Sequence, residues 1–282
     1  MTSPHVLIVG CGDLGAALGQ RLVASGCRVT GLRRSNRALP DIATLQGDVG
    51  LPESLRSLVD LRPDILVYTV AADAQTDESY RRHYPEGLRN VLQALQTAPP
   101  RHVFFISSTR VYGVDDGRWL DEESPAQPAD FGGERLLEAE RLLHGISATV
   151  LRLSGIYGPG RTRMLKLARA PHQWPSTNTW TNRIHRDDAA AFIAMLIDRV
   201  LKGEAIQSCY VVTDNAPAPQ HEVLSWIAHQ LGIAEPMPVL PPVAGGKRLS
   251  NRLMQASGYE LQYPDYKAGY AALIASEGHT HG

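Results

Sequence analysis

The run HVLIV, residues 5–9, stops abruptly at the glycines of GCGDLG, and this junction constrains the chain more than any other stretch. It reads as a buried strand, a tight turn and then a helix over 16–24, where Leu18, Leu22 and Val23 share one face. The same unit recurs. Apolar runs at 28–32, 65–70, 103–106 and 149–153 predict further strands, with a short one at 42–45. Helical spacing at 52–59, 78–95 and 131–143 falls between them. Strands that are apolar on both faces and alternate with helices predict an α/β fold with a parallel sheet covered on both sides. Beyond residue 161 the pattern weakens, though 162–170, 187–201, 222–231, 251–256 and 266–274 read as helices and 209–212 as a strand. The stretch 172–181 reads as irregular, 237–247 as a proline- and glycine-rich linker, and 279–282 as a frayed tail.

Gly10, Gly12 and Gly15, between strand and helix, have the spacing of a dinucleotide-binding turn. Glycines there permit the turn, admit a pyrophosphate against the backbone and bring helix and strand together, while the amides of Asp13, Leu14 and Gly15 open the helix toward the phosphates. An ordinary glycine turn is the alternative. About twenty residues on, where an acid would bond the ribose hydroxyls of NAD, stand Arg33 and Arg34. Two guanidinium forks suit a 2′-phosphate, so NADP is expected over NAD, against the reading that both arginines only face water. Asp48 and Val49, after the 42–45 strand, are candidates for the adenine or ribose edge, with a surface turn as the rival.

Charge excludes a general polyanion binder: 28 Lys plus Arg stand against 29 Asp plus Glu. No nucleic acid or membrane partner is therefore expected, and no apolar run reaches the ~20 residues of a bilayer span. Three scattered cysteines, Cys11, Cys27 and Cys209, fit a reducing, cytoplasmic setting and neither a disulfide framework nor a metal site.

FFISSTRVYG (104–113), LRLSGIYGPGR (151–161) and NRIHRDDAAAF (182–192) resemble the extended short-chain dehydrogenase/reductases, the nucleotide-sugar epimerases and dehydratases. The segments from VVTDNAPAPQ and GKRLSNRLMQ onward resemble the end of an atypical bacterial branch of that family. The resemblance implies an NAD(P)-binding Rossmann domain at 1–160 and a smaller substrate-side domain at 161–282, with 182–202 packing back on the first. It implies Ser108 as the catalytic hydroxyl that orients substrate, with Ser107 beside it. Ala71 and Ala72 match the small residues next to the cofactor, and Leu153, Gly155 and Ile156 the backbone near the nicotinamide. His185 and Asp188 match a structural motif. A homodimer through helices 78–95 and 131–143 is the family's habit.

The departures concern chemistry. In ADFGGERLLEAE (129–140), Phe131 takes the place of the family's tyrosine and Arg135 that of its lysine, and residues 120–145 contain neither Tyr nor Lys. Thr109 and Arg110 stand where dehydratases carry acids. Phenylalanine cannot transfer a proton, and arginine is a poor relay. Arg135 retains a role at the nicotinamide ribose, or else pairs with a glutamate such as Glu138. The substitute donors are Tyr112, Tyr157, His83, Tyr84 and His185, each with a structural reading beside it. Trp174 and Trp180 suit either a ligand wall or a core, and Lys247, Arg248 and Arg252 either an anion or solvent. Two functions stay open: an NADP-dependent oxidoreductase or epimerase-like enzyme on a small polar or nucleotide-sugar-like substrate, or a noncatalytic NADP(H)-binding sensor or interaction protein.

Overall fold

A computed structural model describes residues 3–234 and 239–278, so the expected tail at 279–282 and part of the 237–247 stretch lie outside the described residues. The chain forms two compact units: residues 1–113, 125–152 and 189–210, and residues 114–124, 153–188 and 211–282. The chain thus leaves the first unit at 152, not at 160, and 114–124 belongs with the second because its strand Trp119–Leu120 pairs with Arg248–Leu249.

The first unit opens with β1 (His5–Val9), α1 (Asp13–Ala24), β2 (Arg28–Arg33) and β3 (Ala43–Gln46). There follow β4 (Ile65–Tyr68), α2 (Asp77–Arg81), α3 (Gly87–Ala94), β5 (His102–Ser108) and α4 (Phe131–Arg141). The registers β3–β2–β1–β4–β5 are all parallel. With Ala148–Leu153 beside β5 and Cys209–Val212 at the edge, they make a seven-stranded parallel Rossmann sheet. Its centre is dry: every residue of β1 and β4 is buried, as are Leu14, Leu18 and Leu22 of α1. That is the expectation for strands covered on both faces.

Two predicted helices depart from regular α-helical geometry. The segment Pro52–Leu58 is a 3₁₀-helix. The single helix expected over 78–95 is interrupted by a π-helical turn, Arg82–Glu86, that contains Pro85. Proline has no N–H to donate, and within this turn the His83 carbonyl accepts the buried Tyr68 hydroxyl.

Among the described residues of this unit, Arg152 and Glu140 form a buried charged pair. Arg152 donates through Nε and Nη2 to both carboxylate oxygens of Glu140 on α4, at 3.1 and 2.6 Å, and through Nη1 to Tyr112 Oη at 2.8 Å. Ser107 on β5 donates to the same carboxylate at 2.6 Å.

In the second unit Tyr157, Leu165, Trp174, Val223, Leu224, Ile227, Tyr266 and Tyr270 form a separate core. The expected linker holds a strand, Val243–Gly246, paired with Asn178–Thr181, and the latter ends the stretch expected to be irregular. Neither strand has the length or alternation that marks one in sequence.

Glu140→Gln should destabilise the protein by about 3 kcal/mol, because it leaves the Arg152 guanidinium buried without its counter-charge. Urea denaturation measures this, and a loss below ~1 kcal/mol would show that the pair is not buried in solution.

Candidate functional site

The phosphate-binding turn is built by steric exclusion. Gly10 has φ +83°, and a Cβ there would lie 2.6 Å from the Val70 amide nitrogen. Its amide and that of Cys11 both donate to the Leu32 carbonyl at 3.0 Å, and Thr69 Oγ1 donates to the Gly10 carbonyl at 2.8 Å. At Gly15 a Cβ would meet Ile8 and Thr69 atoms at 3.1 Å, whereas at Gly12 the nearest atom would be 3.7 Å away. Open space therefore lies over Gly12, the N-cap of α1, and no side chain caps the helix start at Asp13 and Leu14. Uncapped amides facing a cradle without a Cβ fit a pyrophosphate.

At the end of β2 the two arginines differ. Arg33 has a buried Nε with no partner. Arg34 is forked onto Asp73, with Nη2 2.6 Å from Oδ1 and Nη1 on Oδ2. That bond holds the Asp73 carboxyl below its usual range. His83 Nε2 stands 3.2 Å from the same carboxylate, while its Nδ1 donates to the Ser79 carbonyl. Asp73 is a residue that sequence reasoning missed; a single acid in a loop carries no pattern. Asp48 accepts from the Gly50 amide and from Arg82, at 2.8 and 3.0 Å. Val49 is buried, and its carbonyl accepts from Asn90. Ala71 and Ala72 follow β4, and the Ala72 backbone bonds Tyr84.

The chemical positions are less open than expected. Ser107 commits its hydroxyl proton to Glu140 and is a strut of the buried network. Ser108 is only partly buried and caps the turn Thr109–Val111, its oxygen accepting from the Arg110 amide at 3.2 Å. Among the described residues nothing accepts its hydroxyl proton. Arg135 is held by Asp77 at 2.7 and 3.1 Å and by Glu138 at 2.9 Å, which is the surface-pairing alternative. Phe131 lies edge-on to Tyr80 and under Arg110. Arg110 also bonds Asp130, Gln75 and Tyr80, so the residue in the dehydratase acid's place organises the helix start.

The substitute donors are occupied by structure. Tyr112 is fully buried on Arg152. Burial raises the Tyr84 phenol to about 12 and takes that of Tyr157 higher still. In the second unit, burial lowers the pKa of His185, which packs between Tyr157 and Tyr263. Asp188 accepts from Tyr259 Oη and from the Gln262 and Tyr263 amides at 2.7–2.9 Å. Both are engaged by packing or hydrogen bonds within this unit.

Leu153, Gly155 and Ile156 belong to the second unit, where Gly155–Tyr157 pairs in parallel with Arg183–His185. Trp174 is core, donating to the Leu167 carbonyl. Arg248 is half-buried and engaged: its guanidinium lies 5.3 and 5.0 Å from the ring centres of Trp119 and Trp180 and donates to the Gly117 carbonyl. Asn251, not Ser250, is the N-cap of the helix Arg252–Ala256.

A Rossmann sheet carrying a Cβ-free phosphate turn defines a dinucleotide-binding protein. The model of the NAD dependent epimerase/dehydratase family matches residues 6–211, and the chain belongs to that family. Protein YeeZ of Escherichia coli (strain K12) is 32% identical over 284 residues, covering 92% of this chain and 96% of that protein. A solved structure from Methylobacillus flagellatus assigned to the NAD-dependent epimerase/dehydratases is 53% identical, with TM-score 0.91 over 98% of this chain and 99% of that one. The UDP-glucose 4-epimerase of Thermus thermophilus, solved with NAD, shares the fold at 18% identity, with TM-score 0.74 over 94% of this chain and 96% of its own.

Asp214 in the second unit yields a test of buried charge. It is 1% exposed, and desolvation outweighs the attraction of Arg183, raising its pKa from 3.8 to about 7. The folded state thus binds the proton more tightly than the unfolded state, and stability should fall as pH rises from 3.8 to about 7, by up to ~4 kcal/mol. Asp214→Asn should flatten that slope and raise Tm at pH 8, measured by thermal melts across pH; an unchanged slope would place the ionisation elsewhere.

Proposed function

We propose that the protein is an NADP(H)-dependent oxidoreductase or epimerase-like enzyme acting on a small polar or nucleotide-sugar-like substrate without the family's tyrosine–lysine pair. The observation that carries the cofactor choice is the arginine pair at the end of β2, where Arg33 keeps a buried, unpartnered Nε. A 2′-phosphate supplies acceptors for that donor, and it shares Arg34 with Asp73. The ribose hydroxyls of NAD would find no carboxylate at the end of β2 itself. Gly10, Gly12 and Gly15 hold the pyrophosphate against uncapped amides of α1.

A bound nicotinamide supplies a hydride donor or acceptor. Ser108, with its hydroxyl proton uncommitted, orients a substrate oxygen. Phe131 has no proton to give, and Arg135, its pKa raised by Asp77 and then Glu138, stays charged. The substrate oxygen therefore exchanges its proton with water or with a group outside α4. The reading includes a cytoplasmic homodimer. A noncatalytic NADP(H)-binding sensor is the second reading, favoured by one observation: Phe131 and Arg135 are both engaged in packing and ion pairs.

Fluorescence titration at low salt should give NADPH at least ~10-fold tighter binding than NADH, a difference of ~1.4 kcal/mol. Arg33→Ala plus Arg34→Ala should remove most of that preference. Equal or tighter NADH binding would sink it.

The combined change Phe131→Tyr and Arg135→Lys should raise turnover by less than ~10-fold, because Asp77 and Glu138 still hold position 135; a gain of ~10² to 10⁴ would instead reveal a relic of the family mechanism. Ser108→Ala should lower kcat and leave NADPH affinity intact. An unchanged kcat, with hydride transfer limiting, would remove Ser108 from the mechanism.

A further inference from the structure

The second unit holds an open cavity of about 820 Å³. Arg161, Arg163, Lys166 and Arg183 line it, and no carboxylate does. The first three are exposed, and Arg163 and Lys166 make no ion pair among the described residues. Arg183 is different. It is only 6% exposed, its Nη2 donates to Thr181 Oγ1 at 2.5 Å, and it lies 5.5 Å from the ring centre of Tyr266. Its Nη1 is buried with no partner.

An unpaired donor on a buried permanent cation is costly, so the arrangement calls for an acceptor. Asp214 does not serve. It attracts Arg183 without forming an ion pair among the described residues, and its Oδ2 is itself unpartnered. A lining whose charged side chains are all cations, with one donor already desolvated, suits a dianion with several acceptor oxygens more than a single carboxylate. The cavity's aromatic residues limit what else the ligand carries. Tyr157 and Tyr270 are 4% and 1% exposed, leaving almost no ring face for stacking a nucleobase.

We propose that this cavity binds a small phosphate monoester, with Arg183 Nη1 donating to a phosphate oxygen and Arg161, Arg163 and Lys166 providing the surrounding positive field. The assignment rests on the second unit being the substrate side, and it adds phosphate as the group recognised. The ligand class is an alkyl or polyol phosphate and not a nucleotide.

Calorimetric titration of the full chain at pH 7 tests this with glycerol 3-phosphate, glycerol and uridine 5′-monophosphate as probes. Glycerol 3-phosphate should bind and glycerol should not. Arg183→Gln should weaken binding by at least ~10-fold. Arg163→Gln plus Lys166→Gln, a change confined to exposed side chains, should weaken it several-fold and flatten its salt dependence. NADPH affinity should be unchanged in all variants. Absent binding of glycerol 3-phosphate, equal binding of glycerol, unaltered affinity in the exposed double variant, or ~10-fold tighter uridine 5′-monophosphate would each overturn the proposal. Loss of NADPH binding by the unmodified protein, with glycerol 3-phosphate still bound, would fault the cofactor reading and leave the cavity assignment standing.

Discussion

The Arg152–Glu140 pair fixes the part of the first unit on which any chemistry depends. Arg152 comes from the strand Ala148–Leu153, Glu140 from α4, Ser107 from β5 and Tyr112 from the segment after it. Both charged residues are under 10% exposed. A buried pair of this kind is strongly bound only when its remaining donors and acceptors are satisfied, and here Ser107 and Tyr112 complete it. The strand end that presents Ser108 is therefore tied to the helix that begins at Phe131. The network thereby sets the position of the Ser108 hydroxyl.

Around that fixed point the local chemistry is rewritten. Arg110, where related dehydratases carry an acid, lies 5.0 and 5.3 Å from the rings of Tyr80 and Phe131 and bonds Asp130, the N-cap of α4. A tyrosine at 131 would put a hydroxyl into a cluster already organised around an arginine. A lysine at 135 would lose the fork that grips both oxygens of Asp77. Packing and ion pairing thus engage both positions: Phe131 in the cluster around Arg110, and Arg135 with Asp77 and Glu138.

The second unit follows the same logic with different residues. Asp188 closes the loop at Tyr259–Tyr263 by accepting two amides and a phenol, and His185 is kept neutral by burial between two aromatic rings. Arg248 lays its charge between two tryptophans. What distinguishes Arg183 among these buried polar groups is that the protein does not satisfy it fully: one nitrogen remains without an acceptor.

The sequence by itself determined the sheet, the glycine turn and the missing phenol. Continuous apolar runs of this length, bounded by turn residues, form strands buried on both faces, the spacing of Gly10, Gly12 and Gly15 after the first run marks the turn, and the absence of Tyr and Lys from 120–145 is independent of folding. Tertiary structure alone decided which polar groups are engaged and which are available. Ser107 and Ser108 are neighbours of identical type, yet one is locked to Glu140 and the other keeps its proton, because successive strand residues point to opposite faces. Arg33 and Arg34 look equivalent in sequence, and only the fold brings Asp73, 39 residues away, onto one of them. Burial and long-range pairing set the state of a titratable group, and neither has a local signature in the chain.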